Sequence, residues 1–504
     1  MSAHLSFLIL PLLLYVTSLS ANDITDRVSQ WRQSHEQQIV DQFARLLSIP
    51  NVASDKTNIW RNADHISQML KAAGMRVELL ELENSNPVIF AERTSPGATR
   101  TVMFYVHYDG QPVNVDNWAS DPWTPVMRTD MVENNGEQVP MKAPFDPDWR
   151  IFARSAGDDK LPVIALQSAL MALAESGIDP TINIKVFMEG EEEAGSPNLR
   201  RMIETYKDKL AADLWLFCDG PTHQSRRWQL VYGVRGAYGF NLTVYGPNRP
   251  LHSGHYGNWA PNPIMLLTEL ITSMRAANGD ILVDGYYKQV LPLSRAELDA
   301  IAASPRMDDV LITELGIGAP ETGDRLDMAI TRPAMNLRGI RGGDVGARAR
   351  NVIQPSAEAS IGLRLVPAQT PGYLHDVIEK HIEAQGFFII HDEPTAEQRQ
   401  QHKRLVRLDW SSSGGYPAYR ASFDNPLAMR ISALLDELSD HTLIQTPTMG
   451  GSLPLYIVED VLKTPILILP TANHDDNQHG ANENLRLQNL WDAIEIFATV
   501  LTGL

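Results

Sequence analysis

The stretch that decides the fold is TVMFYVHYDGQP at residues 101–112, where an apolar run ends in histidine and aspartate. Short apolar runs of this kind are typical of buried strands. Similar runs recur at residues 182–188, 214–218 and 465–469, and helical stretches such as residues 161–174 separate them. This alternation predicts an α/β fold with a mostly parallel sheet and helices on both of its faces.

The pattern changes between about residues 230 and 420. Residues 238–244 and 357–366 alternate apolar with polar or small side chains, as half-exposed strands do, and residues 373–384 are amphipathic. We therefore expect a smaller α+β domain inserted in the α/β body. The predicted boundaries are a signal peptide at 1–21, a body in two parts at 22–229 and 421–504, and an insertion at 230–420.

Composition and charge exclude several classes of protein. The chain has 504 residues, of which 43% are hydrophobic and 21% charged, as in globular proteins of two or more domains. Acidic residues number 61 and basic residues 43, and this net charge of −18 argues against a broad nucleic-acid-binding surface. Cys218 is the one cysteine, so a metal here must be held by His, Asp and Glu.

The N-terminus predicts an export signal. Residues 5–16 are apolar except for Ser6 and Pro11, and small residues follow, which fits cleavage after Ser20 or Ala21. The run is too short for an ordinary membrane span, although it lacks a preceding Lys or Arg and an uncleaved apolar anchor is the alternative. We expect a periplasmic or secreted protein with no stable membrane association after the signal is removed.

Candidate metal ligands follow the predicted strands, at the edge where parallel sheets bind their ligands. They are His107 and Asp109, the run EGEEE at residues 189–193, Asp219, His479, and the pair Asp158-Asp159 before a helix. Two histidines and three carboxylates would hold two Zn²⁺ with one carboxylate bridging. Asp109 would fix the tautomer of His107, or would merely cap its loop, and a spare glutamate beside a ligand would serve as general base.

Taken in order, these motifs resemble one known superfamily. They are YVHYDGQP at 105–112, RSAGDDK at 154–160, EGEEEAGS at 189–196, LHSGHYG at 251–257, LRLVP at 363–367, MGGSLP at 449–454 and HGANE at 479–483. The chain resembles the dinuclear zinc amidohydrolase and peptidase superfamily, which includes carnosine dipeptidases, aminoacylases, acetylornithine deacetylase and succinyl-diaminopimelate desuccinylase. The resemblance is greatest to its dipeptidase branch.

The resemblance implies two Zn²⁺ ions per subunit, with Mn²⁺ or Co²⁺ as substitutes. It assigns one ion to His107 and Asp219 and the other to Glu193 and His479, with Asp158 bridging the two. It also implies a cis peptide bond after this bridging aspartate.

The implied activity is hydrolysis of the amide bond of a dipeptide or N-acyl amino acid that has a free carboxylate. Metal-activated water would attack, with Glu192 as the general base and Asp109 supporting the site. The alternative is a metal-binding homologue that has lost turnover and acts as a receptor or scaffold. The complete ligand set and the intact glutamate argue against that alternative.

The resemblance makes the insertion a lid that also carries the contact of a homodimer. His252 would polarise the scissile carbonyl or hold the oxyanion, either within its own chain or in the partner subunit's site. Arg364 would bind the terminal carboxylate of the substrate, and Asn351 and Ser452 would contact the substrate. As alternatives, His252 is an ordinary lid histidine and Arg364 a cross-strand ion-pair partner.

Overall fold

The structure, a computed structural model, describes residues 21–504 apart from Ser413. Its α-helices are α1 Ala21–Leu47, α2 Lys56–Ala72, α3 Leu161–Glu175, α4 Leu199–Thr205, α5 Lys207–Leu210, α6 Ser253–Tyr256, α7 Pro263–Met274, α8 Arg295–Ala303, α9 Asp308–Glu314, α10 Leu326–Ile330, α11 Pro371–Ala384, α12 Ala396–Gln401, α13 Pro426–Leu438, α14 Leu455–Leu462 and α15 Leu487–Gly503. Its strands are β1 Arg76–Leu80, β2 Val88–Arg93, β3 Thr101–His107, β4 Val126–Arg128, β5 Gln138–Val139, β6 Arg150–Phe152, β7 Asn183–Glu189, β8 Leu214–Phe217, β9 Gln229–Val231, β10 Gly233–Val234, β11 Gly236–Tyr245, β12 Leu251–His252, β13 Ala334–Arg341, β14 Val352–Ile353, β15 Ser356–Leu365, β16 Phe388–Ile390, β17 Leu405–Trp410, β18 Tyr419–Arg420, β19 Ile444–Thr446, β20 Ile466–Ile468 and β21 Asn484–Arg486.

The larger sheet has eight strands in the order β1-β2-β7-β3-β8-β20-β9-β19. The centre of the sheet is parallel, because each adjacent pair in the series β7-β3-β8-β20 runs in the same direction. The pairs β1-β2, β2-β7 and β20-β9 are antiparallel, and a short connection makes β1 and β2 a hairpin. The predicted mostly parallel sheet is therefore a mixed sheet with a parallel centre.

The apolar runs of the sequence become the buried centre of this sheet. In β3, every residue after Thr101 is buried, and β8 is buried along its whole length. Helices α1, α3 and α15 pack against one another, and the ring of Phe497 meets that of Phe104 edge-on at 6.0 Å. Burial of both faces explains why these strands read as continuous apolar runs.

Helix α1 is described from Ala21, which is the last residue of the predicted signal peptide and the first that the structure describes. It continues unbroken to Leu47 and buries Val28, Val40 and Phe43. The rest of the predicted signal peptide lies outside the described residues. Within residues 21–504 apart from Ser413, no helix is both long and apolar enough to span a membrane.

A second, five-stranded sheet has the order β13-β15-β11-β17-β16 and its own apolar core, formed by residues between Phe240 and Leu408. The core of the larger sheet stops at Val234 and resumes at Tyr419. The chain therefore leaves and re-enters the body near the predicted boundaries, although the exact limits of the insertion stay a prediction.

The two passages between these cores lie side by side, because β10 pairs with β18 in antiparallel register. The backbones approach so closely that a Cβ on Gly233 would lie 2.2 Å from the carbonyl oxygen of Tyr419. Glycine is required here for close approach rather than for an unusual backbone angle. Arg235 follows directly, at the entry to the second sheet.

Candidate active site

The structure brings the five predicted metal ligands together at the carboxyl end of the parallel centre. His107 ends β3, and Asp219 follows β8. Potential ligand atoms lie within 4.8 Å of one another in two groups, which are His107, Asp158 and Asp219, and Asp158, Glu193 and His479. Asp158 belongs to both groups, which is the arrangement that a bridging ligand requires.

The two oxygens of Asp158 face opposite sides of the cluster. Its Oδ1 lies 2.8 Å from Nε2 of His107, and its Oδ2 lies 3.2 Å from Nε2 of His479. The same His479 nitrogen is 3.4 Å from a carboxylate oxygen of Glu193, and Asp219 lies 3.9 Å from His107. The peptide bond between Asp158 and Asp159 is cis, which confirms the expectation from the resemblance.

Asp109 is fully buried and holds two parts of the site. Its carboxylate oxygens accept hydrogen bonds from the backbone N–H groups of Glu192 and Glu193, each at 3.0 Å. Nδ1 of His107 lies 3.6 Å from the Asp109 carboxylate and 3.1 Å from its backbone carbonyl. Asp109 therefore fixes the loop of the predicted base as well as facing the histidine, which the sequence did not predict.

Glu483 is a site residue whose role the sequence did not predict. It is fully buried, and its carboxylate accepts backbone hydrogen bonds at 2.9–3.1 Å from Ser155, Gly157 and Asp158. The same carboxylate forms an ion pair with Arg154 at 2.7 Å. Glu483 thus fixes the backbone that carries the bridging ligand. The sequence did mark Glu483 as the last residue of the HGANE motif, but a motif does not show which groups its residues contact.

Lys160 supports the same loop from the other side. This fully buried ammonium donates to the backbone carbonyls of Leu46 and Ile49, at 3.0 Å each. Burial lowers its pKa to about 7. The contacts tie the end of α1 to the segment that carries Asp158.

The charges of the cluster call for cations. Burial raises the pKa of Glu193 to about 7 and that of Asp219 to about 6. Burial also opposes ionisation of Asp158, but hydrogen bonds from His107 and His479 outweigh it and lower the pKa of this carboxyl. Several carboxylates sharing one buried space repel one another unless positive charge is present. Carboxylate and imidazole donors in two overlapping groups fit a pair of divalent ions.

A cavity of about 370 Å³ opens onto the cluster. Its lining includes Asp158, Glu192, Asp219, Gly220, Met449, Gly451, Ser452, Leu453, Gln478 and His479. The predicted base and three of the five predicted ligands, Asp158, Asp219 and His479, therefore face one shared space. Gln478 also donates to Asp158 at 2.9 Å, and Gln111 donates to Glu193 at 2.7 Å.

The predicted substrate-binding residues divide into two groups. Arg364 donates at 2.6 Å to the hydroxyl of Ser452, which lines the cavity, and it forms no cross-strand ion pair with any residue that the structure describes. His252 is exposed, and its ring contacts the N–H of Gly254 and the ring of His255. Asn351 is also exposed and accepts from the backbone of Ser253. His252 and Asn351 lie together, but outside the lining of the cavity.

Comparison with known proteins adds a family to this geometry. Residues 103–503 match the model of the family described as Peptidase family M20/M25/M40. The chain belongs to this family. The match begins in β3 and ends in α15, so it includes every predicted ligand and leaves out only β1, β2 and the start of β3 from the two sheets.

Individual relatives resemble the chain along nearly its whole length. It is 27% identical to the Cys-Gly metallodipeptidase dug1 of Schizosaccharomyces pombe over 94% of this chain and 97% of that protein. It is 24% identical to the Beta-Ala-His dipeptidase of Homo sapiens, over 94% and 92%. A solved M20 family metallo-carboxypeptidase, Sso-CP2 from Sulfolobus solfataricus, superposes with a TM-score of 0.73 at 23% identity, over 92% and 98%.

These findings confirm two predictions and correct a third. The resemblance to the dipeptidase branch and the kind of enzyme, a dipeptidase-like metallohydrolase of the M20 family, are confirmed. The prediction of an exported, periplasmic or secreted protein is wrong. The relatives that match 94% of the chain are a Cys-Gly metallodipeptidase and a Beta-Ala-His dipeptidase, and their likeness gives no support to export.

Proposed function

We propose that this M20 enzyme uses two metal ions to hydrolyse the amide bond of dipeptides or N-acyl amino acids with a free carboxylate. The observation that carries the proposal is the position of Asp158, shared by two ligand groups in the cavity that Glu192 also lines. A single-ion or purely structural site would need no shared carboxylate beside a spare glutamate.

His107, Asp158 and Asp219 would hold one ion, and Asp158, Glu193 and His479 the other. Zinc suits these nitrogen and oxygen donors, with Mn²⁺ or Co²⁺ as substitutes, and when bound it polarises a carbonyl and makes water more acidic. The buried contacts of Asp109 and Glu483 keep the ligand loops in place. Such supporting contacts tune metal affinity and geometry.

Glu192 is the proposed proton carrier. It lies beside the ligand Glu193 and lines the cavity, while Asp109 fixes its backbone N–H. A carboxylate oxygen of Glu192 takes a proton from the attacking water and delivers it to the leaving nitrogen of the amide. One residue thus acts as base and then as acid within a single turnover.

Arg364 and Ser452 are the proposed binding site for the carboxylate of the substrate. The proposal is supported by the hydrogen bond of the Arg364 guanidinium to the hydroxyl of Ser452, which lines the cavity. A guanidinium presents paired donors that match the two oxygens of a carboxylate. This contact would restrict the enzyme to substrates with a free C-terminus.

We also propose that the chain forms a homodimer through its insertion. The insertion exposes large apolar side chains, including Trp259 at 80% and Val345 at 83%, and its strand β13 is a sheet edge. An exposed edge strand with apolar side chains favours pairing with another chain. His252 and Asn351, which lie outside the cavity of their own chain, would then reach the cavity of the partner.

Amine release from a panel of dipeptides and N-acyl amino acids, with and without a chelator, tests the proposed function. We expect hydrolysis of free-acid substrates, loss of activity with chelator and recovery on adding Zn²⁺. Full metal loading without cleavage of any substrate would favour the inactive metal-binding homologue. Cleavage that resists prolonged chelation would contradict the two-metal proposal.

A further inference from the structure

Arg235 lies where the chain enters the second sheet, next to the proposed carboxylate site. Its backbone N–H donates to the carbonyl of Gly451 at 3.3 Å, and Gly451 lines the active-site cavity. Two residues later, Ala237 pairs with Arg364 across β11 and β15. Both arginines are therefore anchored to the same Gly451–Ser452 wall.

The guanidinium of Arg235 is poorly partnered for its degree of burial. Its Nη1 reaches only the backbone carbonyls of Ile330 and Arg332, each at a long 3.4 Å, and its Nε is buried without an acceptor. Among the described residues, the hydrogen-bond partners of the two guanidinium groups are these two carbonyls and the Ser452 hydroxyl, none of which carries a charge. A guanidinium has five donors and is seldom buried without an anion.

The two positive charges also act on each other. Burial, followed by the charge of Arg364, lowers the pKa of Arg235 to about 10. Two neighbouring guanidinium groups without an anion repel, and a bound carboxylate would remove the repulsion by pairing with both. The arrangement therefore favours an anionic ligand at this wall.

We propose that Arg235 and Arg364 together form a two-guanidinium site for the carboxylate of the substrate's C-terminal residue. Arg235 is then a second specificity-determining residue, in addition to the single arginine that the sequence predicts. The inference rests on the proposed function, since it assigns one more residue to the carboxylate end of the same substrate. It predicts a stronger preference for free acids than one arginine would give.

The test compares a free-acid dipeptide with its C-terminal amide on the zinc-loaded enzyme. The variants are Arg235→Gln, Arg235→Lys, which keeps the charge, and Arg404→Gln as a control. Arg404 pairs with Glu269 at 2.9 Å on the outer side of the same domain. Thermal melting of each protein checks that it is folded.

We expect Arg235→Gln to raise KM for the free acid about ten- to hundredfold, with kcat and the KM of the amide changed less than about threefold. Arg235→Lys should recover part of the loss, and the control should match the wild type. An equal loss on acid and amide would show that Arg235 only supports the Ile330–Arg332 backbone, and would overturn the inference. A loss with Arg235→Lys as large as that with Arg235→Gln, on both substrates, would do the same.

A binding measurement separates this inference from the proposed function. Calorimetry with a dipeptide whose scissile amide is replaced by a methyleneamine needs no turnover. Wild-type enzyme that binds the carboxylate form more tightly than its amide, with the difference reduced in Arg235→Gln, supports the two-arginine site even if hydrolysis is absent. Hydrolysis together with an unchanged preference in Arg235→Gln would overturn the inference and leave the proposed function standing.

Discussion

The edge of the larger sheet and the exposed end of the insertion contribute differently to the site. At the carboxyl end of the sheet, His107 ends β3 and Asp219 follows the adjacent parallel strand β8, and potential ligand atoms of both lie within 4.8 Å of one on Asp158. In the insertion, Arg364 reaches the cavity wall, whereas His252 lies exposed with its neighbour His255. Residues placed by one hydrogen-bonded sheet are assembled by the fold of a single chain. For residues on the insertion, the position relative to the cavity depends on how the insertion packs against the larger sheet, or on how two copies of the chain associate.

The largest expected effect separates chemistry from metal binding at the sheet edge. Glu192→Gln should reduce kcat about a hundred- to ten-thousandfold, because an amide cannot accept the proton of the attacking water. Metal content, measured by elemental analysis, should stay near two ions per chain because Glu192 is outside both ligand groups. Glu204→Gln, an exposed change on α4, is the control. Near-normal turnover in Glu192→Gln would require a different base.

The next largest effect concerns Arg364, the residue of the insertion whose side chain contacts the cavity lining. Arg364→Ala should reduce kcat/KM about ten- to several-hundredfold for free-acid dipeptides, since a charged hydrogen bond is lost. The corresponding C-terminal amides should lose far less. Arg404→Ala provides a matched removal of an arginine elsewhere in the same domain. If acid and amide lose equally, Arg364 is structural and the insertion contributes no substrate selection at this point.

A smaller effect is expected from weakening the hydrogen bonds by which Asp109 holds the Glu192–Glu193 loop. Asp109→Asn replaces an oxygen that faces a backbone N–H with a donor, so the Glu192–Glu193 loop should shift. We expect about ten- to hundredfold lower activity with most of the metal retained. Asp158→Ala, which removes a shared ligand, should lose more metal under the same dialysis. Equal metal loss in the two variants would contradict the separate roles.

The smallest effect tests whether the exposed end of the insertion works in a second copy. Individually, His252→Ala and Glu192→Gln should both be weakly active. If His252 serves the partner's cavity, mixing and re-forming dimers should restore up to about a quarter of wild-type activity, because half of random dimers carry one intact site. If the activity of the mixture never exceeds the summed activities of the two variants, His252 either acts in the site of its own chain or has no role in catalysis.

These contrasts also explain how much the sequence predicts. Apolar runs that end in His107 or Asp219 predict both a strand and the edge at which its ligand lies, since parallel strands share that edge. The position of His252 cannot be predicted in this way. Hydrophobic periodicity predicts helices and strands, but it does not predict where an inserted domain lies relative to the rest of the chain. The antiparallel pairs were missed because β1, β2 and β9 were not predicted as strands, and the apolar run of a buried strand such as β9 looks alike in either direction.

Contacts of buried charges are the other part that the sequence leaves out. Glu483 and Arg154 are 329 positions apart in the chain, and only the fold shows that they meet at 2.7 Å. Arg235 is likewise an ordinary residue at the start of a strand until its lack of an anion is seen. Motifs identify which residues bear a charge, whereas only the fold shows which of these charged side chains has a partner of opposite charge.

The bond between Glu483 and the Asp158 backbone has a consequence for the order in which a ribosome produces this enzyme. His107, Asp158 and Asp219 are synthesised long before Glu483. The backbone that holds the shared ligand therefore lacks its contact with Glu483 until that residue has been made, although Lys160 already ties the same loop to the end of α1. Translation that stops short of this glutamate should yield a protein that carries the residues of the first ligand group but lacks one of the contacts that fix Asp158.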